Sequence, residues 1–473
     1  MDNLFVSPYP AVGVLLCTYF VFRWIQAHKS DLNTIPTIGY AAPLLSYITA
    51  SRWAFDSRSM LQEGYEKYKG GLFKLAHMNY WTVVVTSPDL VDDSFQTKYT
   101  IGMELTNNPF HIPVVRSRLT RNLTAVFPQI RDELVAGSLD LIPAKENGML
   151  LVSLSAVWFD VLIAWLAEWV GVPVRAAIME IIARTSNRIF VGLPLCREPE
   201  WLKLNMEYTV DVVKGAHVLS PFPELIKPLL ARMILTNLEG SVETGLKHLK
   251  PIIEDRRRKL DLYGDNWENK PAFTHVLYLL AAHPEYVQPL RDEVESIIAV
   301  EGWTKAAIGK MFKVDSFIRE ATRINGLNLT VMNRWVNKPF KFSNGVTVPA
   351  GVMISCAAAP IHRDDEFYPD GDTFNPFRFA DIREGDGESL KHQMSTTTNQ
   401  YLAFGQGRHA CPGRFFATNE LKCLLAHVVT AYDVKLEDGA REVPPNIVIG
   451  NNIVPADANV LFRKRSAANT VVG

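Results

Sequence analysis

Apolar and polar positions along this chain change period several times, and the changes mark out its elements. From Gly70 to Leu90 the chain reads as two strands: Trp81 to Thr86 is rich in β-formers, and Ser87-Pro88 closes the second. Arg116 to about Gly245 has a helical look, with breaks expected at Pro128, Pro143, Pro194, Pro221 and Pro228. Pro284 suits the first turn of a further helix, where a missing N–H is harmless, and Leu290, Val294 and Ile297 give it an apolar stripe. Another helix surrounds Glu320, with Asp315 as its expected cap and Phe317, Ala321 and Ile324 on its apolar side. Alternation around Asn344-Gly345, from Phe340 to Val348, predicts a hairpin. The last long helix is expected near Gly413, burying Ala417, Leu421, Leu424 and Val428. The fold class that follows is mainly α with a small β-sheet region, as one domain over residues 31–473.

Two apolar runs stand outside that scheme. Phe5 to Phe22 is uncharged and roughly long enough to cross a bilayer, and Arg23, His28 and Lys29 follow it. No Lys or Arg precedes it, and Tyr19, Phe20, Phe22 and Trp24 occupy its end, which argues for a retained anchor over residues 1–30 and against a cleaved leader. Met149 to Val172 is a second apolar stretch, with Trp158, Trp165 and Trp169, but Asp160 and Glu168 interrupt it. An insertion packed on the surface or against the membrane suits those carboxylates better than a second span.

Composition narrows the function. Of 473 residues, 48% are hydrophobic and 21% charged, as in an ordinary globular protein. Lys plus Arg (49) balance Asp plus Glu (50), so no basic footprint points to nucleic acid. The run Arg256-Arg257-Arg258-Lys259 reads as a solvated face. Cys17, Cys196, Cys356, Cys411 and Cys423 make no CxxC pair and no disulfide framework, so they read as reduced thiols facing the cytosol. No Cys/His clustering suggests zinc.

The densest chemistry lies between Phe404 and Ala417. Gly405 and Gly407 allow backbone shapes closed to other residues and deliver Cys411 just before a helix. A sulfur there meets the positive end of the helix dipole, with Arg408 and Arg414 nearby, which suits a thiolate. Gly413 leaves room for a flat macrocycle, and Phe404 is placed to shield the sulfur. Alone, Cys411 also reads as a small buried hydrophobe in a tight turn. A dinucleotide loop is disfavoured because Ala410 stands where the third glycine of GxGxxG belongs.

With Phe404, Gly407, Cys411 and Gly413 in the pattern FxxGxRxCxG, the chain resembles the cytochrome P-450 family; His409 replaces the usual arginine two residues before the cysteine. The resemblance implies that Cys411 is the axial ligand of the iron of heme b, with Phe404, Gly407, His409 and Gly413 around it. It also implies that Glu320 and Arg323 of an ExxR motif join Arg378 of Pro376-Phe377-Arg378-Phe379 in a buried network beneath the heme. By residues alone, Glu320 and Arg323 read as a surface pair at i,i+3. Arg334 is similar to a position that contacts a heme propionate. Arg116, Arg118 and Arg121 resemble a second propionate clamp, without indicating which one serves. The implied function is monooxygenation of a lipophilic, terpenoid-like substrate of fungal secondary metabolism. Electrons would come from NADPH through a membrane-bound reductase docked near Arg408, Arg414 and Lys422, on an endoplasmic-reticulum membrane with the catalytic domain facing the cytosol.

One departure limits that reading. The family's central helix over the heme carries an acid-threonine pair just before the segment matching Ala272 to Tyr278. Here Asp265 to Pro271 stands in its place, an apparent deletion near residues 260–272. A helix opened by Pro271 runs about three turns before His283-Pro284 ends it. Thr274 comes too late to be carried over as the catalytic threonine. The different-class alternative is therefore a heme-binding membrane protein with the fold but impaired or absent turnover.

Overall fold

The computed structural model describes residues 30–42, 44–95, 100–101, 120–142, 169–219, 227, 230–231, 244–245, 247–249, 273–383, 391–407 and 410–465. The two strands expected after Gly70 form as Leu72–Ala76 (β1) and Trp81–Val85 (β2), paired antiparallel, and a 3-10 turn beginning at Pro88 ends the second. They lie at one side of a five-stranded sheet with Thr100–Ile101 (β3), Val331–Val336 (β5) and Met353–Cys356 (β8), in the order β1-β2-β8-β5-β3. The expected hairpin pairs Phe340–Lys341 (β6) with Thr347–Val348 (β7), and its turn places Gly345 at φ 88°, a region that favours glycine.

One expectation for the first half is corrected. Pro128 does not break its segment, because Thr120–Leu141 is one helix (α2; α1 is Ser46–Lys67). Leu123, Phe127, Ile130 and Leu134 are all buried at helical spacing, and that stripe outweighs the roughly 3 kcal/mol a proline takes from a helix interior. The apparent insertion over 149–172 ends inside the fold. Val170–Pro173 is a strand (β4) paired antiparallel with Asn459–Lys464 (β12), which pairs in turn with Tyr432–Leu436 (β9), while Ile447–Ile449 (β10) and Asn452–Val454 (β11) pair with each other. Met149 to Glu168 lies outside the described residues, as do Phe5 to Phe22 and Arg256 to Lys259. Among the described residues, no helix is long and apolar enough to cross a membrane.

The remaining helices are Val174–Phe190 (α3), Pro199–Leu219 (α4), Phe273–Ala282 (α5), Val287–Glu301 (α6), Lys305–Lys310 (α7), Phe312–Ile324 (α8), Arg378–Arg383 (α9) and Arg414–Ala431 (α10). The segment after Pro284 opens as a 3-10 turn and continues as α6, with Leu290 and Val294 buried. Two large hydrophobic cores result, with a small third cluster of Leu123, Ile130 and Phe416. The larger joins α3, α5, α6, α8 and α10 to the β4-β12-β9 sheet; the other lies between α1 and the five-stranded sheet. Leu402 is buried in the second core, whereas Phe404 packs against the first. The glycine loop that begins there therefore sits astride the seam.

Candidate heme site

Loop geometry at the cysteine follows from its two glycines. Gly405 and Gly407 take φ of 67° and 66°, which a side chain would strain. The Gly405 N–H donates to Leu402 O (2.9 Å), the Cys411 N–H to Phe404 O (2.8 Å), and the Ala410 N–H to Gly407 O (3.1 Å). Gln406 braces the outside, accepting from Thr397 Oγ1 (2.6 Å) and donating to Asn399 Oδ1 (3.1 Å). Cys411 is half-buried and free, three residues before the first turn of α10. Among the described cysteines, Cys196, Cys356 and Cys423 are also free but fully buried, and burial pushes their thiols up to about 11, 12 and 12. Arg408 and His409 lie outside the described residues.

Beneath the loop, α8 brings its ion pair fully inside. Glu320 and Arg323 have completely buried side chains and meet twice, Arg323 Nε to Glu320 Oε2 and Nη2 to Oε1, both at 2.7 Å. Arg378 Nε donates to Glu320 Oε1 (3.1 Å), and so does the Asn375 N–H (3.1 Å). The surface-pair alternative is thereby excluded. Arg323 spends its other donors on backbone carbonyls of His362, Gly371 (2.6 Å) and Thr373 (3.3 Å).

A second buried charge cluster escaped the sequence reading. Asp315 does not cap α8. That role falls to Glu293 of α6, whose oxygens accept from the Lys313 and Val314 N–H groups at 2.7 and 2.9 Å. Asp315 is buried one turn further in, where it binds Arg383 Nη1 (2.9 Å), Lys422 Nζ (3.2 Å) and the Met394 N–H (2.9 Å). This corrects the reductase-docking face as well. Lys422 is buried against Asp315, and Arg414 is half-buried with its guanidinium on Ser395 O (3.1 Å) and Cys411 O (3.0 Å). Neither offers the expected exposed charge.

Arg334 leaves β5 just past a bulge in which Met332 takes φ 62°. Its Nη1 donates to the neighbouring Asn333 O (2.9 Å), and burial lowers its guanidinium from the usual range. No carboxylate pairs with it among the described residues. A half-buried cation in that state fits an anionic group such as a propionate. With the half-buried Cys411 sulfur and the glycine loop, the residues present fit heme. Arg116 and Arg118 lie outside the described residues, and Arg121 is described only as part of α2. Asp265 to Pro271 is likewise outside them. Thr274, on α5, is fully buried, with no hydrogen-bond partner for its hydroxyl among the described residues.

Comparison with known proteins agrees with this geometry. Residues 270–460 match the family description "Cytochrome P-450". The chain is 36% identical to cytochrome P-450 monooxygenase 151 of Postia placenta, covering 98% of this chain and 100% of that protein. It is 27% identical to ent-kaurene oxidase of Fusarium fujikuroi, covering 97% and 93%. The chain belongs to the cytochrome P-450 family. Its fold is the mainly helical one of these monooxygenases, whose cofactor is heme b. The alignment with the Postia placenta protein runs over 523 positions and takes in 98% of the 473 residues here, so roughly 60 of its positions hold no residue of this chain.

The two buried clusters make opposite predictions from surface pairs. Glu320→Ala removes the one carboxylate facing Arg323, and Asp315→Ala the one that Arg383 and Lys422 share; each is expected to destabilise by about 3–5 kcal/mol. Arg52→Ala, which removes exposed pairs to Asp56 and Glu63, should stay within about 1 kcal/mol. Denaturant melts of the three variants check the contrast.

Proposed function

We propose that this protein is a heme-thiolate monooxygenase in which Cys411 ligates the iron and Arg334 binds a heme propionate. The observation that carries the reading is the tied loop: Cys411 alone among the described cysteines is free, half-buried and held by glycine turns at the start of a helix. When bound, heme with a thiolate ligand supplies oxygen activation, the sulfur pushing electron density that favours O–O cleavage. Cys411 is oriented by its own N–H on Phe404 O and by Arg414 on its carbonyl. Phe404 packs against the larger core on the way to it, which keeps water from that side of the loop. Gly407, Gly413 and His409 complete the loop, with His409 in place of a fixed positive charge.

The relative named as an ent-kaurene oxidase supports a lipophilic, terpenoid-like substrate. Electrons are assigned to a membrane-bound NADPH reductase. Residues 1–30 are assigned as a single anchor in the endoplasmic-reticulum membrane, with residues 31–473 in the cytosol.

A second reading, heme binding with impaired turnover, is favoured by one specific observation. The family match begins at residue 270, and the segment just before Phe273, Asp265 to Pro271, contains no acid-threonine pair. Proton delivery in a pocket that excludes water needs groups within hydrogen-bond reach of the reacting oxygen.

Three measurements separate these statements. The reduced, CO-treated protein should show the red-shifted Soret band of thiolate ligation, lost in Cys411→Ala and kept in Cys356→Ala and Cys423→Ala; its retention in Cys411→Ala would falsify the ligand assignment. Deletion of residues 1–30 should move the protein from membranes to the soluble fraction, whereas unchanged carbonate-resistant association would assign the attachment elsewhere. With a reductase and a panel of terpenoids, NADPH consumption should exceed product, with peroxide making up most of the difference. Tight coupling would remove the second reading.

A further inference from the structure

Between the buried ion pair of α8 and the cysteine loop stands His362. Its carbonyl receives Arg323 Nη1, and its ring Nε2 accepts the Leu402 N–H at 2.8 Å. Leu402 O in turn accepts the Gly405 N–H (2.9 Å), the turn from which the chain reaches Phe404 and Cys411. The imidazole also stacks on Tyr401, centroids 5.6 Å apart at 19°. The Arg319 guanidinium lies 3.7 Å from the Tyr401 ring centroid, and the Tyr401 hydroxyl meets Thr322 Oγ1 at 2.7 Å. Residues 401 and 402, the last before the glycine turns, are thus gripped from α8 and from the 362 segment together.

We propose that His362 is a positioning residue for Cys411: its Nε2 fixes the Leu402 N–H, and this one acceptor transmits the placement of Arg323 to the cysteine loop. An acceptor must be neutral at that nitrogen, so the proton sits on Nδ1. Full burial and the neighbouring Arg323 hold the ring down to about 3, so the acceptor persists throughout the working pH range. Without it, the buried Leu402 N–H has no partner, and a turn with an orphan donor rearranges to find one. The proposal rests on Cys411 being the ligand, but its structural part does not.

The test compares His362→Leu, which removes the acceptor, with His362→Gln, whose amide oxygen reaches a similar position. The full-length protein is used throughout. Two readouts are taken: hydrogen exchange at the Leu402 amide, and the fraction of ferrous-CO protein showing the thiolate-type band. The leucine variant should exchange Leu402 at least about tenfold faster and lose most of the thiolate-type fraction, and the glutamine variant should keep both near the parent's values. Should the leucine variant fail to fold while the glutamine variant retains both readouts, the acceptor role also stands. Equal damage in both variants, or an unchanged leucine variant, overturns it. If the parent itself lacks the thiolate-type band, the ligand assignment fails instead, and Leu402 exchange alone still decides the role of His362.

Discussion

The fold around the cysteine depends on how a fully buried guanidinium is satisfied. Arg323 has no access to water, so its charge and all its donors must be met by protein or the helix cannot pack. Glu320 supplies the charge through two parallel bonds, and the remaining donors reach carbonyls 39, 48 and 50 residues further along the chain. A salt bridge buried this deeply adds little net stability once desolvation is counted. What it adds is register: the backbone at His362, Gly371 and Thr373 has one position in which the charge is satisfied. The segment so fixed then presents His362 to Leu402.

Asp315 solves the same problem on the other side. It is buried with two cations, Arg383 and Lys422, and its second oxygen also holds the Met394 N–H. Through it α8 is locked to α9, to the segment leading into the glycine loop, and to the helix that follows the cysteine. The loop is therefore fastened before and after Cys411 by charges on one helix, two turns apart at most. Because Leu402 and Phe404 enter different cores, any slip of the loop would unpack both.

Legibility in the sequence tracked how local each interaction is. The strands, the hairpin at Asn344-Gly345 and most of the stripes of α6, α8 and α10 follow from short-range periodicity and are present in the structure, although Ile297, Ile324 and Ala417 are only half-buried. Glu320 and Arg323 could be paired from their spacing, yet spacing alone pointed to the surface, because burial depends on carbonyls tens of residues away. Asp315 looked like a cap since its partners, Arg383 and Lys422, are 68 and 107 positions distant. The same blindness made Lys422 look like an exposed docking charge. Pro128 was read by its local penalty, which the Leu123 to Leu134 stripe overrides. His362 carried no signal at all: a lone histidine shows its role only when Leu402 is brought to it.

That uneven legibility has a consequence for chemistry. The cysteine loop is over-determined, with two ion clusters, two glycine turns and a histidine acceptor converging on it. Turnover asks more, because a proton must arrive at a defined point on the opposite face, and the groups that deliver it must sit on an element long enough to span that face. Among the described residues α5 runs from Phe273 to Ala282, and Thr274 on it is fully buried. Holding the cysteine loop and delivering that proton are physically separable tasks, since the first rests on α8 and α10.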